Sequence, residues 1–260
     1  MKNVILAVSF GTAYPDAMEL AISPTEQALA AACPGWTLRR AFTSDTIRQR
    51  LMRSGLAVDS VPQAMEHLAA EGITYVAVQP LYVTQGAEYQ RLMDQLISYR
   101  QRMRIAVGAP LLYTDADFET TADALMEWLP PLEKEEALVL MGHGGEGSGN
   151  AAYVRLEQVL QRRCDRLYVA TMKGELTLEA VKQTLSHRPK LRKLMLAPFL
   201  LTAGGHARKD LVSWEASLRN DGYSVRCVHR GLGECPRIRE LFAAHCLAAV
   251  KTLDHEGGNP

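Results

Sequence analysis

A chain of 260 residues is long enough for one large or two small domains. With 22% charged and 47% hydrophobic residues it is globular, which excludes a disordered or fibrous chain, and it can bury enough surface to need no disulfide or metal staple. Its 29 basic and 29 acidic residues cancel, so the basic excess typical of nucleic-acid binding is missing and no nucleic-acid partner is expected.

The opening MKNVILAVSFGT has one lysine and a short apolar run, too little for a secretory signal peptide. No apolar run approaches the roughly 18 residues of a membrane span. A cytoplasmic protein without a membrane partner is expected. Residues 4–8 read as a strand covered on both faces. A helix is predicted over 15–32, with Ala21, Leu29 and Ala32 on one face. A short strand follows at 38–41, then helices from 47–51 and over 62–71, the second closed by Gly72 as a left-handed cap. Residues 75–78 read as a buried strand, 89–100 as a helix, 105–107 as a strand and 115–128 as a helix. Pro130-Pro131, followed by the charged stretch 133–136, is the strongest punctuation in the chain. It separates an N-terminal half, 1–130, from a C-terminal half, 131–260. The pattern then restarts. Strands are predicted at 137–141, 167–172, 193–198 and 225–228, and helices at 151–163, 178–185, 209–220 and 236–251. From Asp254 the tail is polar and expected to fray.

Two runs of strand–helix alternation predict an α/β protein of two similar domains, each a parallel sheet flanked by helices. The halves resemble each other in sequence. VILAVSFGT at 4–12 aligns with ALVLMGHGG at 137–145, and VAVQPLYVTQGAE at 76–88 with LMLAPFLLTAGGH at 194–206. Phe10 then corresponds to His143 and Glu88 to His206. Ligands of open α/β sheets bind at the carboxyl ends of strands, so four strand-end loops are expected to face one interdomain cleft.

The five cysteines, Cys33, Cys164, Cys227, Cys235 and Cys246, are odd in number and include no C-x-x-C pair. That pattern fits small buried residues in a reducing compartment, not a disulfide framework or a zinc spacing. His143 lies among Gly142, Gly144 and Gly145, and His206 follows Gly204-Gly205, each beyond a buried strand. Neither glycine pattern is a phosphate-loop or dinucleotide fingerprint, so no ATP or nucleotide is expected. Two imidazoles across a cleft can bind divalent cobalt, iron, nickel or zinc, and an imidazole is a base near neutral pH. The bland reading makes both hydrogen-bonded loop residues. Ser9, Phe10, Gly11 and Thr12 end the first strand. They offer donors and a stacking ring to a flat ligand, or else a strand-to-helix turn with Thr12 at the cap. Glu88 is either an acid facing the metal or a carboxylate stabilised by a helix dipole.

Ordered blocks run the length of the chain: VSFGT at 8–12, FTSDTIRQRL at 42–51, QPL at 79–81, GAEY at 86–89, LMGHG at 140–144, TAGGHARKD at 202–210 and GLGECPRIR at 231–239. In these the chain resembles the sirohydrochlorin cobaltochelatases of anaerobic cobalamin synthesis, which are class II chelatases. The resemblance implies the two-domain chelatase fold with its active site in the cleft. It also implies ATP-independent insertion of Co(II), as metal substrate, into sirohydrochlorin or its less oxidised precursor. The family's metal-binding histidines carry over onto His143 and His206. Metal entry displaces two pyrrole N–H protons, which an imidazole can accept while the pair delivers the cation.

The chain departs from the family pattern at three places. The family glutamate in V-G-T-V-E-G-Y-P-T-L-E falls on Lys173 in VATMKGELTLE, and Glu175 follows two residues later. In an extended segment, positions two apart share a face about 6.6 Å apart, which lets Glu175 reach toward the same metal if the loop shifts. A lysine about 5 Å from a dication costs several kcal/mol at an effective dielectric of about 20. Lys173 therefore points away, titrates down or binds substrate carboxylates; Arg208 and Lys209, and then Arg39, Arg40 and Arg91, are further candidate cations, with solvated charge at a helix start as the bland reading of Arg208 and Lys209. The acidic stretch the family carries after His206 is missing, and Tyr82 replaces a common family histidine. Two alternatives follow from these changes: a chelatase for another metal such as iron or nickel, and a non-catalytic tetrapyrrole-binding protein on the same scaffold. A two-lobed periplasmic-type binding protein shares the α/β pattern but is opposed by the missing signal peptide and the cysteine usage. No helix carries a clean coiled-coil heptad that would set an oligomeric state.

Overall fold

The computed structural model describes residues 3–145 and 147–257, apart from the side chains of residues 206, 207 and 254–257. The frayed tail expected from Asp254 falls largely outside the described residues, although the backbone of the last helix continues to Gly257. Two four-stranded, all-parallel sheets carry the fold. The first is built from β1 (Asn3–Ser9), β2 (Thr37–Phe42), β3 (Tyr75–Pro80) and β4 (Arg104–Val107), in the order β2-β1-β3-β4. The second repeats that order as β6-β5-β7-β8, from β5 (Glu136–Gly144), β6 (Leu167–Lys173), β7 (Lys193–Phe199) and β8 (Ser224–Cys227). The repeat extends to register. Ile5 lies opposite Ala77, as Leu138 lies opposite Met195, and these are the positions the sequence alignment equates.

Alternate residues of each strand feed different cores, as a side-chain period of two requires. Ile5, Ala7 and Ala77 of the first sheet and Leu138, Leu140, Met195 and Phe199 of the second point into one central core. Four helices fill that core: α2 (Ser23–Ala32), α6 (Asp115–Trp128), α7 (Ser148–Arg163) and α10 (Pro236–Gly257). Val4, Leu6 and Val8 face outward, onto α4 (Val61–Ala70) and α5 (Ala87–Ile97). Ala137, Val139 and Met141 do the same against α8 (Leu178–Ser186) and α9 (Gly205–Asn220). Helix α3 (Asp45–Arg53) seats Leu51 on Phe42 and Ile22. Ser60 with Gln63, and Thr114 with Asp117, form reciprocal capping boxes that start α4 and α6. None of the described helices is long and apolar enough to cross a membrane.

The helix predicted over 15–32 is interrupted. A short α1 (Pro15–Ala17) runs into a π turn, Met18–Ile22, before α2 begins, and the Ser23 N–H donates to the Met18 carbonyl five residues back. Pro24 has no N–H to give Leu20, and its ring would collide with the Leu20 carbonyl in a continuous α-helix; widening the turn relieves both. Helix α10 follows the second sheet in the chain but crosses back to cover the first, packing on α2, β3 and β4. Ile238, Phe242, Cys246 and Val250 recur every fourth residue along its buried stripe.

Candidate functional site

The central strand β5 ends by presenting His143 to solvent. Two glycines make this possible. A Cβ on Gly142 would strike the Tyr153 ring, and one on Gly144 (φ +74) would strike the Lys173 carbonyl oxygen on the neighbouring strand. Tyr153 is buried beneath this turn. Burial pushes its phenol up to about 12, opposed by hydrogen bonds with the backbone of Gly144 and His143, so the ring supports the backbone that carries the imidazole. His143 Nδ1 lies 3.2 Å from the Gly144 carbonyl oxygen. A carbonyl only accepts, so in the neutral ring Nδ1 carries the proton and Nε2 keeps its lone pair free for a ligand.

Strand β7 pairs directly with β5, with Gly142 opposite Phe199, so the loop after β7 emerges beside His143. That loop leads through Gly204 into α9, where His206 is the second residue; its side chain lies outside the described residues. The GLGEC segment braces the loop. Leu232 and Gly233 donate their N–H groups to the carbonyls of Leu200 and Leu201, at 2.8 and 3.0 Å. Gly231 packs too tightly on Leu201, Thr202 and Ala203 to carry a Cβ. In the sequence this block marks only the family resemblance; in the fold it holds the approach to α9.

Lys173 ends β6, exposed. Gly174 (φ +102) turns the chain out of the strand, and the Thr171 N–H closes the turn onto the Leu176 carbonyl at 2.6 Å. The extended geometry expected to put Lys173 and Glu175 on one face therefore does not form; a left-handed glycine between them breaks the alternation. Glu175 is held instead by its own N–H, which donates to the side chain of buried Asn150 at 3.1 Å. Its side chain lines an open cavity of ≈ 850 Å³ together with Gly145, Asp115, Asn150 and Arg155.

The first half supplies the matching segments. Gly11 (φ +92) stands where Gly144 does, and Phe10, 50% exposed, where His143 does. Ser9 and Thr12 are buried, and Thr12 Oγ1 accepts the Tyr14 N–H at 3.2 Å. Phe10 is the exposed side chain of this quartet, and Thr12 supports the turn, the second of the two readings the sequence offers for it. Glu88 is the second residue of α5, as His206 is of α9, and both helices have glycine at the N-cap, Gly86 and Gly204. One Glu88 oxygen is buried without a hydrogen-bond partner, and the other sits 3.6 Å from Arg91. Tyr82 is buried nearby, its phenol held well above the usual range first by burial and also by the Glu88 charge.

The two sets of strand ends meet. Ser148 donates to the Gln85 carbonyl at 3.2 Å, and Gly149 faces Gly86, so the start of α7 touches the loop after β3. Gly204 and Gly205 lie against Thr12 and Tyr14, so the start of α9 touches the loop after β1. Each half thus grips the other through equivalent segments. Of the six cations considered for an acidic substrate, Arg40 is bonded to buried Glu26 at 2.7 and 2.5 Å, Arg39 pairs with Glu71, Arg91 with Glu88 and Arg208 with Asp16. Lys173 and Lys209 remain exposed without an ion pair to any described residue. Among the described residues no three His, Cys, Asp or Glu side chains form a metal cage.

The cobalt chelatase (CbiK) family profile matches residues 3–251. A sirohydrochlorin cobaltochelatase of Salmonella typhimurium is 34% identical over 98% of this chain and 99% of its own length. The sirohydrochlorin cobaltochelatase CbiKC of Nitratidesulfovibrio vulgaris is 32% identical over 97% and 92%. Among solved structures, SirB from Bacillus subtilis with Fe3+ superposes with a TM-score of 0.67 at 17% identity, covering 99% of this chain and 98% of SirB. CbiX, described as the terminal enzyme of siroheme biosynthesis in denitrifying bacteria, superposes with a TM-score of 0.58 at 17% identity over 95% and 99%. These two share the fold. With a family match across nearly its whole length and full-length relatives above 30% identity, the chain belongs to the cobalt chelatase family.

Proposed function

We propose that this protein inserts Co(II) into sirohydrochlorin, or its less oxidised precursor, without ATP, as a cytoplasmic step of cobalamin synthesis. The observation that carries the reading is the placement of His143. It is exposed at the end of the central strand, with Nε2 free, beside the loop that leads to His206. Substrate and names follow the relatives; the chemistry follows from the residues. His143 and His206 bind the metal through a ring nitrogen, and as the cation passes to the macrocycle the nitrogens it frees accept the two protons that leave the pyrrole nitrogens. Phe10, on the equivalent turn of the other half, stacks on the macrocycle. Lys173 and Lys209 meet its carboxylates, and Ser9, Gly11 and Thr12 shape the turn beneath Phe10. Glu88 is the flanking carboxylate toward the substrate, and Glu175, held by the Gly174 turn and by Asn150, becomes a third metal ligand only if that turn shifts.

The test is a multiple-turnover assay with purified protein, sirohydrochlorin and Co(II), followed by the visible spectrum, with Fe(II) and Ni(II) run in parallel. His143→Ala and His206→Ala should each lower turnover by about 100-fold or more, the usual range for losing an acid–base group. Lys173→Glu should raise the cobalt rate by returning a carboxylate to the family position. A spectral shift on tetrapyrrole binding with no turnover for any metal would leave a binding protein on a chelatase scaffold. Faster turnover with iron or nickel than with cobalt would reassign the metal.

A further inference from the structure

The first turn of α9, which carries His206, is gripped from the other half of the molecule. Arg208 donates from Nε to the Ala203 carbonyl at 2.9 Å, closing the loop onto its own helix. Its terminal nitrogen pairs with Asp16, at the start of α1. Its guanidinium lies over the Tyr14 ring, 5.6 Å from the centroid. The hydroxyl end of Tyr14 fills the space a Cβ would take at Gly205, next to His206. Beneath, Gly233 packs against the Ala21 backbone, so the π turn of the first half also bears on the GLGEC brace. Arg208 thus makes three contacts of different kinds, two of them to the half that carries neither histidine.

We infer that Arg208 is a positioning residue: with Tyr14 and Asp16 it forms an inter-half latch that fixes the first turn of α9, and so the place of His206 relative to His143. The inference rests on the metal-insertion reading for its kinetic consequence but not for its structural one. A guanidinium is suited to the task because it stacks with its flat face while its edge donates in two directions. The sequence leaves Arg208 as either a substrate-carboxylate ligand or solvated charge at a helix start; its pairing with Asp16 and Ala203 favours a structural role instead. Removing a group that orients a metal ligand costs about 10–100-fold in affinity or activity.

The experiment compares wild type with Arg208→Ala, Arg208→Lys and Asp16→Asn. Lysine keeps a charge for Asp16 but loses the planar stack and the Nε bond. Amide exchange of the metal-free protein is read first. Residues 203–210 should exchange faster in Arg208→Ala and Arg208→Lys, with α8 unchanged and melting temperature nearly so. Co(II) affinity, followed by d–d absorption without tetrapyrrole, should fall about 10–100-fold, and kcat with it, while KM for sirohydrochlorin stays within about twofold. Unchanged exchange over 203–210 overturns the latch. A raised KM with intact kcat and Co(II) affinity overturns it too, and makes Arg208 a substrate ligand. If Arg208→Ala fails to fold, Asp16→Asn, which removes one contact on an exposed carboxyl, gives the same readings. Wild-type protein that binds Co(II) but never inserts it refutes the chelatase function while the exchange and affinity measurements still judge the latch.

Discussion

At Gly144 the geometry of His143 and the fold of the neighbouring strand are fixed together. Its φ of +74 is costly for any residue with a Cβ, and such an atom would meet the Lys173 carbonyl, a backbone atom that has no freedom to swing away. Gly145, next in the chain, has nothing within 4 Å of a Cβ and no positive φ. Gly144→Ala is therefore expected to lower stability by on the order of 2–4 kcal/mol and to displace His143, whereas Gly145→Ala should be close to neutral. Chemical denaturation of both variants, with Co(II) binding measured beside it, checks this; equal midpoints for the two would contradict it. The histidine and its glycines were legible in the sequence because a histidine amid glycines after a buried strand has few structural uses. The Lys173–Glu175 turn differs from the expected extended strand because of Gly174; a glycine between the two positions, free to take the left-handed φ it shows, is the signal the sequence carries.

At the scale of elements, strands were the most legible feature. Covered on both faces, they appear as continuous apolar runs, and the repeat between halves predicted equivalences that the sheet registers reproduce. The partner of α10 was not legible. Periodicity shows which face of a helix is apolar but not which sheet that face covers, and chain order suggested the nearer one. The π turn was hidden for a related reason: Pro24 is compatible with the first turn of a new helix, so only the position of its missing donor reveals the break. Phe242, almost wholly buried in the central core, measures what α10 contributes. Phe242→Ala should cost about 3–5 kcal/mol. Because α10 packs on β3 and β4, amide protection in those strands should fall before protection in β6 and β8. The reverse order would mean that α10 serves mainly the second sheet. Met126→Ala, at an exposed position of α6, is the control expected to change little.

At the scale of the whole molecule, carboxylates tie the halves and their linker together, and they set the acid limit of the fold. Glu119 of α6 pairs with Arg162 and Arg163 of α7, and Asp16 pairs with Arg208, across the two halves; both acids are exposed, so salt screens these contacts. Glu136 is different. It is 1% exposed, opens β5 just beyond the linker, and accepts two hydrogen bonds from Arg226 at 2.6 and 2.7 Å and one from the Glu133 N–H at 2.8 Å. Burial pushes its carboxyl up, but the Arg226 and Glu133 bonds outweigh burial and hold it below its ordinary value of 4.5. A folded pKa below the unfolded one means that the unfolded chain binds more protons at mildly acid pH. The stabilisation is then fully present above about 4.5 and disappears as pH falls through the lower, folded value. Melting temperature should accordingly be flat from neutral pH down to about 5 and then drop steeply. Glu136→Gln keeps the shape but not the charge; it should melt lower at neutral pH and show a shallower acid limb, converging on wild type at the acid end. Parallel curves for the two proteins would exclude Glu136 as the group responsible. Added salt separates the buried contact from the exposed ones: it should weaken the Glu119 and Asp16 contributions while leaving the difference between wild type and Glu136→Gln largely intact.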